Sequence, residues 1–201
     1  MLVIGLTGGI GSGKTTVLKM FQELGAAIYI TDQEAKRLMN SDTYLIRSIN
    51  ALFGEEAYKK NQLDRKFIAD KVFLNKRLLE ELNAIVHPVV RADFKTFISK
   101  SQASYIIYES AILFESGSDA FCNLTISLSA PEDLRIKRVV QRDESSVELV
   151  KNRMQHQISE ETRNLKADFV ITNLDLQQTK IEVLKLHNYF IKISKDSQQT
   201  K

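Results

Sequence analysis

The sequence predicts an α/β fold: a five-stranded parallel sheet flanked by helices, carrying an inserted helical lobe and a helical lid. Three observations predict it. Short apolar, β-branched runs at 2–6, 26–30, 105–108, 124–128 and 169–172 alternate with longer stretches of helical periodicity, the pattern of parallel strands joined by crossover helices. About 70 residues of helical pattern lie between the second and third runs, more than a single crossover requires. The first run leads into GGIGSGKT at 8–15, which satisfies G-x-x-x-x-G-K-[ST] and makes the sheet one of P-loop NTPase type.

Each element follows in order. After the first strand, Gly8, Gly9, Gly11 and Gly13 stand where a Cβ would keep backbone N–H groups from converging on phosphates. A helix over 14–24 then presents Val17, Leu18, Phe21 and Leu24 on one face, and its positive N-terminal end adds to the anion site. Lys14 can reach the β- and γ-phosphates of a nucleotide, and the Thr15 hydroxyl can hold Mg²⁺. The second strand is followed by helices over 32–39, 43–53, 65–74 and 76–99, the last expected to kink or break at Pro88, which removes an amide donor. Residues 32–100 therefore read as a substrate-binding lobe, set against the alternative that these helices only cover one sheet face. The fourth strand segment, FCNLTISL, places the only cysteine, Cys122, as a small buried hydrophobe. Helices follow over 131–143 and 146–157. Pro131 suits a first turn, with Glu132 and Asp133 near the positive end. A last helix over 176–194 precedes a polar tail, 195–201, expected to fray. The expected division is a core of 1–31, 101–137 and 166–195, the lobe at 32–100 and the lid at 138–165.

Composition excludes several classes. Hydrophobic residues at 43% and charged residues at 26% are ordinary globular usage, which excludes disordered and fibrous chains. A single cysteine excludes a disulfide framework within the chain. There is no basic leader and no run of about 18 apolar residues, so a soluble cytoplasmic protein without a membrane partner is expected. A net charge of +3 is too mild to argue for nucleic acid, although basic residues cluster at 135–142.

Further side chains carry possible chemistry. Asp32 follows the second strand, on the loop side beyond the carboxyl ends of the strands, where ligands of an open parallel sheet gather. Its carboxylate can take a proton from an acceptor hydroxyl or help hold Mg²⁺, or it can simply N-cap the next helix. Arg135, Arg138 and Arg142 fall three and four apart on one helix face, either a solvated stripe or cations that neutralise a transferring phosphoryl group. Arg153, Gln157 and Arg163 lie in the same lid region, and lid closure would exclude water. Arg65 opens a helix behind Asp64, its expected N-cap, and can pair with a substrate phosphate or stand on the surface. Glu109 ends the third strand, where Mg²⁺ can be held through water. His87, before Pro88, reads first as a hydrogen-bonded structural histidine, and His156 and His187 lack metal-site spacing.

Taken in order, LTGGIGSGKT, the Asp after the second strand, LDR, LNAIVHP, ILFE, QRD and ADFVITN resemble the dephospho-CoA kinase family over nearly the whole chain. The resemblance implies ATP-dependent phosphorylation of the ribose 3′-hydroxyl of dephospho-CoA, giving CoA and ADP. It implies Asp32, Lys14 and Arg142 as catalytic residues. Gly9, Ile10, Gly11, Ser12, Gly13, Lys14, Thr15, Thr16, Arg142 and Asn173 would bind ATP, with Asn173 near the adenine. Thr7, Asp32, Arg65 and His87 would bind the acceptor. Mg²⁺ would sit on Thr15, with Asp32 or Glu109 through water. ATP and dephospho-CoA are the expected partners, without nucleic acid, and the chain is expected to be a monomer or weak homo-oligomer. The sequence departs from the family's Asp-Ala-Asp at Ile30-Thr31-Asp32, has Lys36 where many members have Arg, reads Ala111-Ile112-Leu113 for Pro-Leu-Leu, and has Arg135 or Leu134 where a Gln is often found, with one extra residue nearby. The rival readings are a kinase for another small acceptor, a guanine-nucleotide switch, for which Asn-Lys-x-Asp is missing, and a nucleic-acid-dependent ATPase.

Overall fold

The computed structural model describes residues 1–73, 75–155 and 157–199. Leu74, at the end of the predicted fourth helix, His156 and the last two residues of the tail lie outside them. The described chain forms two compact units, Met1–Tyr29 with Gln102–Lys201 and Ile30–Ser101.

The chain begins with β1 (Leu2–Gly8), α1 (Lys14–Glu23) and β2 (Ala27–Ile30), all but the last residue of which belong to the first unit. The chain leaves through α2 (Thr31–Ser41), α3 (Thr43–Phe53), the short strands β3 (Tyr58–Lys59) and β4 (Gln62–Leu63), α4 (Arg65–Phe73) and α5 (Lys76–Lys100). It returns as β5 (Tyr105–Glu109), β6 (Leu124–Ser129), α6 (Glu132–Asp143), α7 (Val147–Met154), α8 (Glu160–Lys166), β7 (Phe169–Thr172) and α9 (Leu176–Gln199). The sheet order is β2-β5-β1-β6-β7, so the five predicted strands are the five observed. β1 is central, pairing in parallel with β5 (Leu6 opposite Glu109) and with β6 (Leu6 opposite Ile126). Val3, Ile4 and Leu6 are buried, as expected of a strand covered on both faces. Phe21 of α1, Tyr105 of β5 and Phe190 of α9 form an aromatic cluster with centroids 5.5–6.4 Å apart, Tyr105 meeting each phenylalanine edge-to-face and the two phenylalanines tilted at 31°. Tyr105 shares a hydrogen bond of 2.8 Å with His187 Nδ1, and burial holds that imidazole below its ordinary pKa. No helix among the described residues is long and apolar enough to cross a membrane.

Cys122 lies two residues before β6 rather than in it, just after a short 3₁₀ turn over Ser118–Phe121. It is half-buried rather than buried as expected, but packs closely: a Cβ on Gly5 would stand 2.9 Å from Sγ, and burial, reinforced by Asp119, pushes the thiol up to about 12. At pH 8 a disulfide reagent should label the native chain roughly a thousandfold more slowly than the urea-unfolded chain, because the thiolate is the nucleophile. Equal rates would show an open thiol.

In the second unit α5 packs against α2, α3 and α4. Leu82, Val86, Val90 and Phe94 form its buried stripe, with Leu38, Leu45, Ile49 and Ile68 also buried in this unit. α5 runs unbroken from 76 to 100 with Pro88 inside it, so the expected interruption does not occur. The buried stripe spans both sides of Pro88 and keeps one helical register through the missing hydrogen bond. Helix caps match their sequence signals: Asp42 Oδ1 accepts from Leu45 N, Asn75 Oδ1 from Leu78 N, and Asp64 Oδ1 from Phe67 N. The β3–β4 hairpin, which the sequence reading lacked, turns on Lys60 and Asn61, both with positive φ.

Candidate active site

The loop between β1 and α1 is shaped by glycine. Gly11 (φ +80°) and Gly13 (φ +95°) take left-handed backbone, and a Cβ on Gly13 would stand 2.1 Å from Asn173 Nδ2. The Ser12 amide donates to Gly9 O at 3.0 Å, and the Thr16 amide to Gly13 O at 3.0 Å, closing the turn onto α1. Lys14 Nζ donates to Gly8 O at 2.8 Å. Among the described residues the amides of Gly11, Gly13 and Thr15 have no acceptor, so they remain as donors at the helix N-terminus.

A cleft of about 600 Å³ opens on this loop, walled by Gly11, Gly13, Lys14, Thr15 and Thr16 on one side and by Arg138, Arg142 and Asn173 on the other. Asn173 is buried and has both ends of its amide engaged: Nδ2 donates to Ser12 O at 2.8 Å, and Oδ1 accepts from Thr179 Oγ1 at 3.1 Å. Its side chain therefore fixes the loop. Arg138 donates to Asn173 O at 3.0 Å. Arg142 is exposed, grips Asp143 with two hydrogen bonds of 2.7 and 3.0 Å, and is held above its ordinary pKa by that carboxylate. Arg153 also reaches Asp143, at 3.4 Å. The Thr15 and Thr16 side chains are exposed.

The three arginines of the predicted basic face do not share a role. Arg138 and Arg142 line the cleft, but Arg135 is buried behind the loop against Gly9, beside Arg163. Helix α7 stops at Met154, short of the predicted 157. Gln157 lies beyond it and joins two segments: its Oε1 accepts from Ile10 N at 2.9 Å, and its Nε2 donates to Ala111 O at 3.2 Å. The Ile10 side chain packs on Ile136, Val139 and Val150 of α6 and α7. The Ile10 and Ser12 amides are thus already bonded within the protein. Helix α8, absent from the sequence reading, is capped by Ser159 and carries Glu160 and Arg163. The second glycine of the GG pair was the signal for this packing, since the phosphate-loop pattern leaves position 9 open.

A family model described as dephospho-CoA kinase matches residues 2–178. The chain belongs to the dephospho-CoA kinase family. A dephospho-CoA kinase from Salinibacter ruber is 41% identical over 177 residues, 86% of this chain and 89% of its own length. The structure is similar to that of dephospho-CoA kinase from Campylobacter jejuni, at 28% identity and a TM-score of 0.68 over 97% of this chain and 98% of that one. A crystal structure from Thermus thermophilus superposes more closely, with a TM-score of 0.85 at 32% identity over 92% of this chain and 95% of that one.

The remaining residues implied by the dephospho-CoA kinase resemblance are placed as follows. Asp32 lies in the first turn of α2, whose cap is Ile30, so it does not N-cap that helix. It is exposed, and its carboxylate makes no hydrogen bond or ion pair among the described residues. Arg65 is exposed at the first position of α4. His87 is half-buried in α5. Its ring makes no hydrogen bond among the described residues, against the expectation of a bonded structural histidine; burial and Arg91 hold its pKa down. Thr7 is fully buried with no partner for its hydroxyl among the described residues. Glu109 is buried at the end of β5, opposite Leu6.

Proposed function

We propose that this chain, acting in the cytoplasm, transfers the γ-phosphoryl group of ATP to the ribose 3′-hydroxyl of dephospho-CoA, the last step of CoA synthesis. The observation that carries the proposal is the cleft in which a phosphate loop with unbonded amides faces Arg138 and Arg142, in a chain of the dephospho-CoA kinase family. Gly11, Gly13, Lys14 and Thr15 bind the phosphates, and Arg142 covers the nucleotide after releasing Asp143. Mg²⁺ arriving with ATP suits the exposed Thr15 hydroxyl on the cleft wall, a hard oxygen ligand; bound there, it neutralises phosphate charge. Asp32 orients the 3′-hydroxyl and takes its proton as the oxygen forms its bond to phosphorus and the bond to ADP breaks. Chain order supports this role, because β2 ends two residues before Asp32 and ligands of parallel sheets gather beyond the carboxyl ends of strands. Thr7, Arg65 and His87 belong to acceptor binding, and residues 32–100 to the substrate lobe, with 138–165 as the lid.

The test is ADP release from ATP–Mg²⁺ with and without dephospho-CoA, with product mass measured and phosphopantetheine, adenosine and AMP as other acceptors. The expected result is turnover dependent on dephospho-CoA and a product heavier by one phosphoryl group. Faster turnover of another acceptor would overturn the assignment.

A further inference from the structure

Two guanidinium groups are buried together behind the phosphate loop, and neither lines the cleft. Arg135 of α6 is 8% exposed and Arg163 of α8 is 2% exposed. A Cβ on Gly9 would stand 2.5 Å from Arg135 Nη1 and 3.1 Å from Arg163 Nη2, so both head groups press on the loop at that residue. One carboxylate lies close: Glu160, 3.3 Å from Arg135 Nη2, which also accepts from Ser129 Oγ. Glu115 attracts Arg163 more weakly; it is exposed and accepts from Ile158 N. Arg163 Nη1 reaches only Ile158 O, at 3.4 Å, and its buried Nε has no hydrogen-bond partner among the described residues. Arg135 has a firmer seat, with Nε donating to Ala130 O at 2.9 Å.

Two cations thus share one nearby carboxylate in a place where water cannot solvate them. Buried charge is costly unless it is compensated. Desolvation is the largest influence on Arg163 and lowers its pKa; attraction to Glu160 opposes this, and repulsion from Arg135 adds to it. The orphaned Thr7 and Ser12 hydroxyls lie in and beside the same loop.

We propose that Arg135 and Arg163 are positioning residues for the nucleotide: their excess charge behind Gly9 is compensated by the phosphates on the other side of the loop, which raises affinity in proportion to phosphate charge without contact. This rests on the reading that the cleft takes ATP–Mg²⁺. It also gives Gly9 a reason, because any side chain there would displace a guanidinium.

The experiment measures calorimetric binding of ATP–Mg²⁺, ADP–Mg²⁺ and AMP, and thermal unfolding with and without ATP–Mg²⁺, for wild type, Arg163→Met, Arg163→Lys and Glu160→Gln. Arg163→Met should weaken ATP binding about tenfold or more, ADP binding less and AMP binding least, while the unfolding temperature of the free protein stays level or rises. Arg163→Lys should recover most of the ATP affinity. Glu160→Gln, which removes the counter-charge, should lower the unfolding temperature of the free protein and enlarge the rise that ATP produces. This last variant decides the matter if Arg163→Met does not fold. Equal losses for all three nucleotides, or a lower free-protein unfolding temperature with ATP affinity intact in Arg163→Met, would overturn the positioning role. Absence of ATP–Mg²⁺ binding by the wild type would overturn the nucleotide reading itself.

Discussion

Asp32→Asn is expected to lower kcat by about 10²–10⁴-fold, the usual contribution of a general base, while ATP–Mg²⁺ binds as tightly as before. The substitution keeps the size of the side chain and one acceptor oxygen but cannot take a proton at neutral pH. Because the Asp32 carboxylate is exposed and makes no bond among the described residues, no network collapses with it. The only structural loss is a negative charge in the first turn of α2, about 0.3–1 kcal/mol. Steady-state kinetics with varied dephospho-CoA, beside a calorimetric ATP titration, separate the outcomes. Unchanged turnover would remove Asp32 from the chemistry, and a matching loss of ATP–Mg²⁺ affinity would move it to the metal.

The second large effect is expected from Gly13→Ala. The new methyl group would arrive 2.1 Å from Asn173 Nδ2, on backbone with φ +95°. Asn173 would have to leave Ser12 O and Thr179, two of the bonds that set the loop against α9. Left-handed backbone costs about 1–2 kcal/mol in a residue with a Cβ, and an unpaired buried amide about 1–3 kcal/mol more. We expect thermal stability to fall by about 2–5 kcal/mol on those terms, and ATP affinity to drop more than tenfold as the Gly11 and Gly13 amides shift. Gly25→Ala is the control: its φ is +92°, but a Cβ there meets nothing within 4 Å. It should cost only the backbone term and leave kcat/KM unchanged. If both variants behave alike, Asn173 is not what holds the loop.

The sheet and the phosphate loop were legible because their signals are local: apolar runs of strand length, glycines at required positions, and a Lys-Thr pair opening an amphipathic helix. Helix α8 was missed because EETRNLK has no apolar periodicity; its capping residue Ser159 and its packing onto β6 carry it. The β3–β4 hairpin was missed because Lys60-Asn61 replaces the Asn-Gly that marks such a turn. The break expected at Pro88 is absent for a tertiary reason, since burial of Val86, Val90 and Phe94 outweighs one lost hydrogen bond. At the site, helical spacing correctly grouped Arg135, Arg138 and Arg142 on one helix but could not reveal that the first turns inward while the last faces solvent. Gln157 and Arg163 gain their places from residues more than 140 positions away, which no local pattern encodes.

The seat of Ile10 has a consequence for anyone exchanging parts among relatives. Its side chain belongs to the apolar cluster of α6 and α7, and its amide belongs to Gln157. The crest of the phosphate loop therefore packs as one piece with α6, α7 and Gln157, although more than a hundred residues of chain intervene. A chimera that imports 132–157 from another dephospho-CoA kinase has to import residue 10 with it, and the natural unit of transplantation is discontinuous.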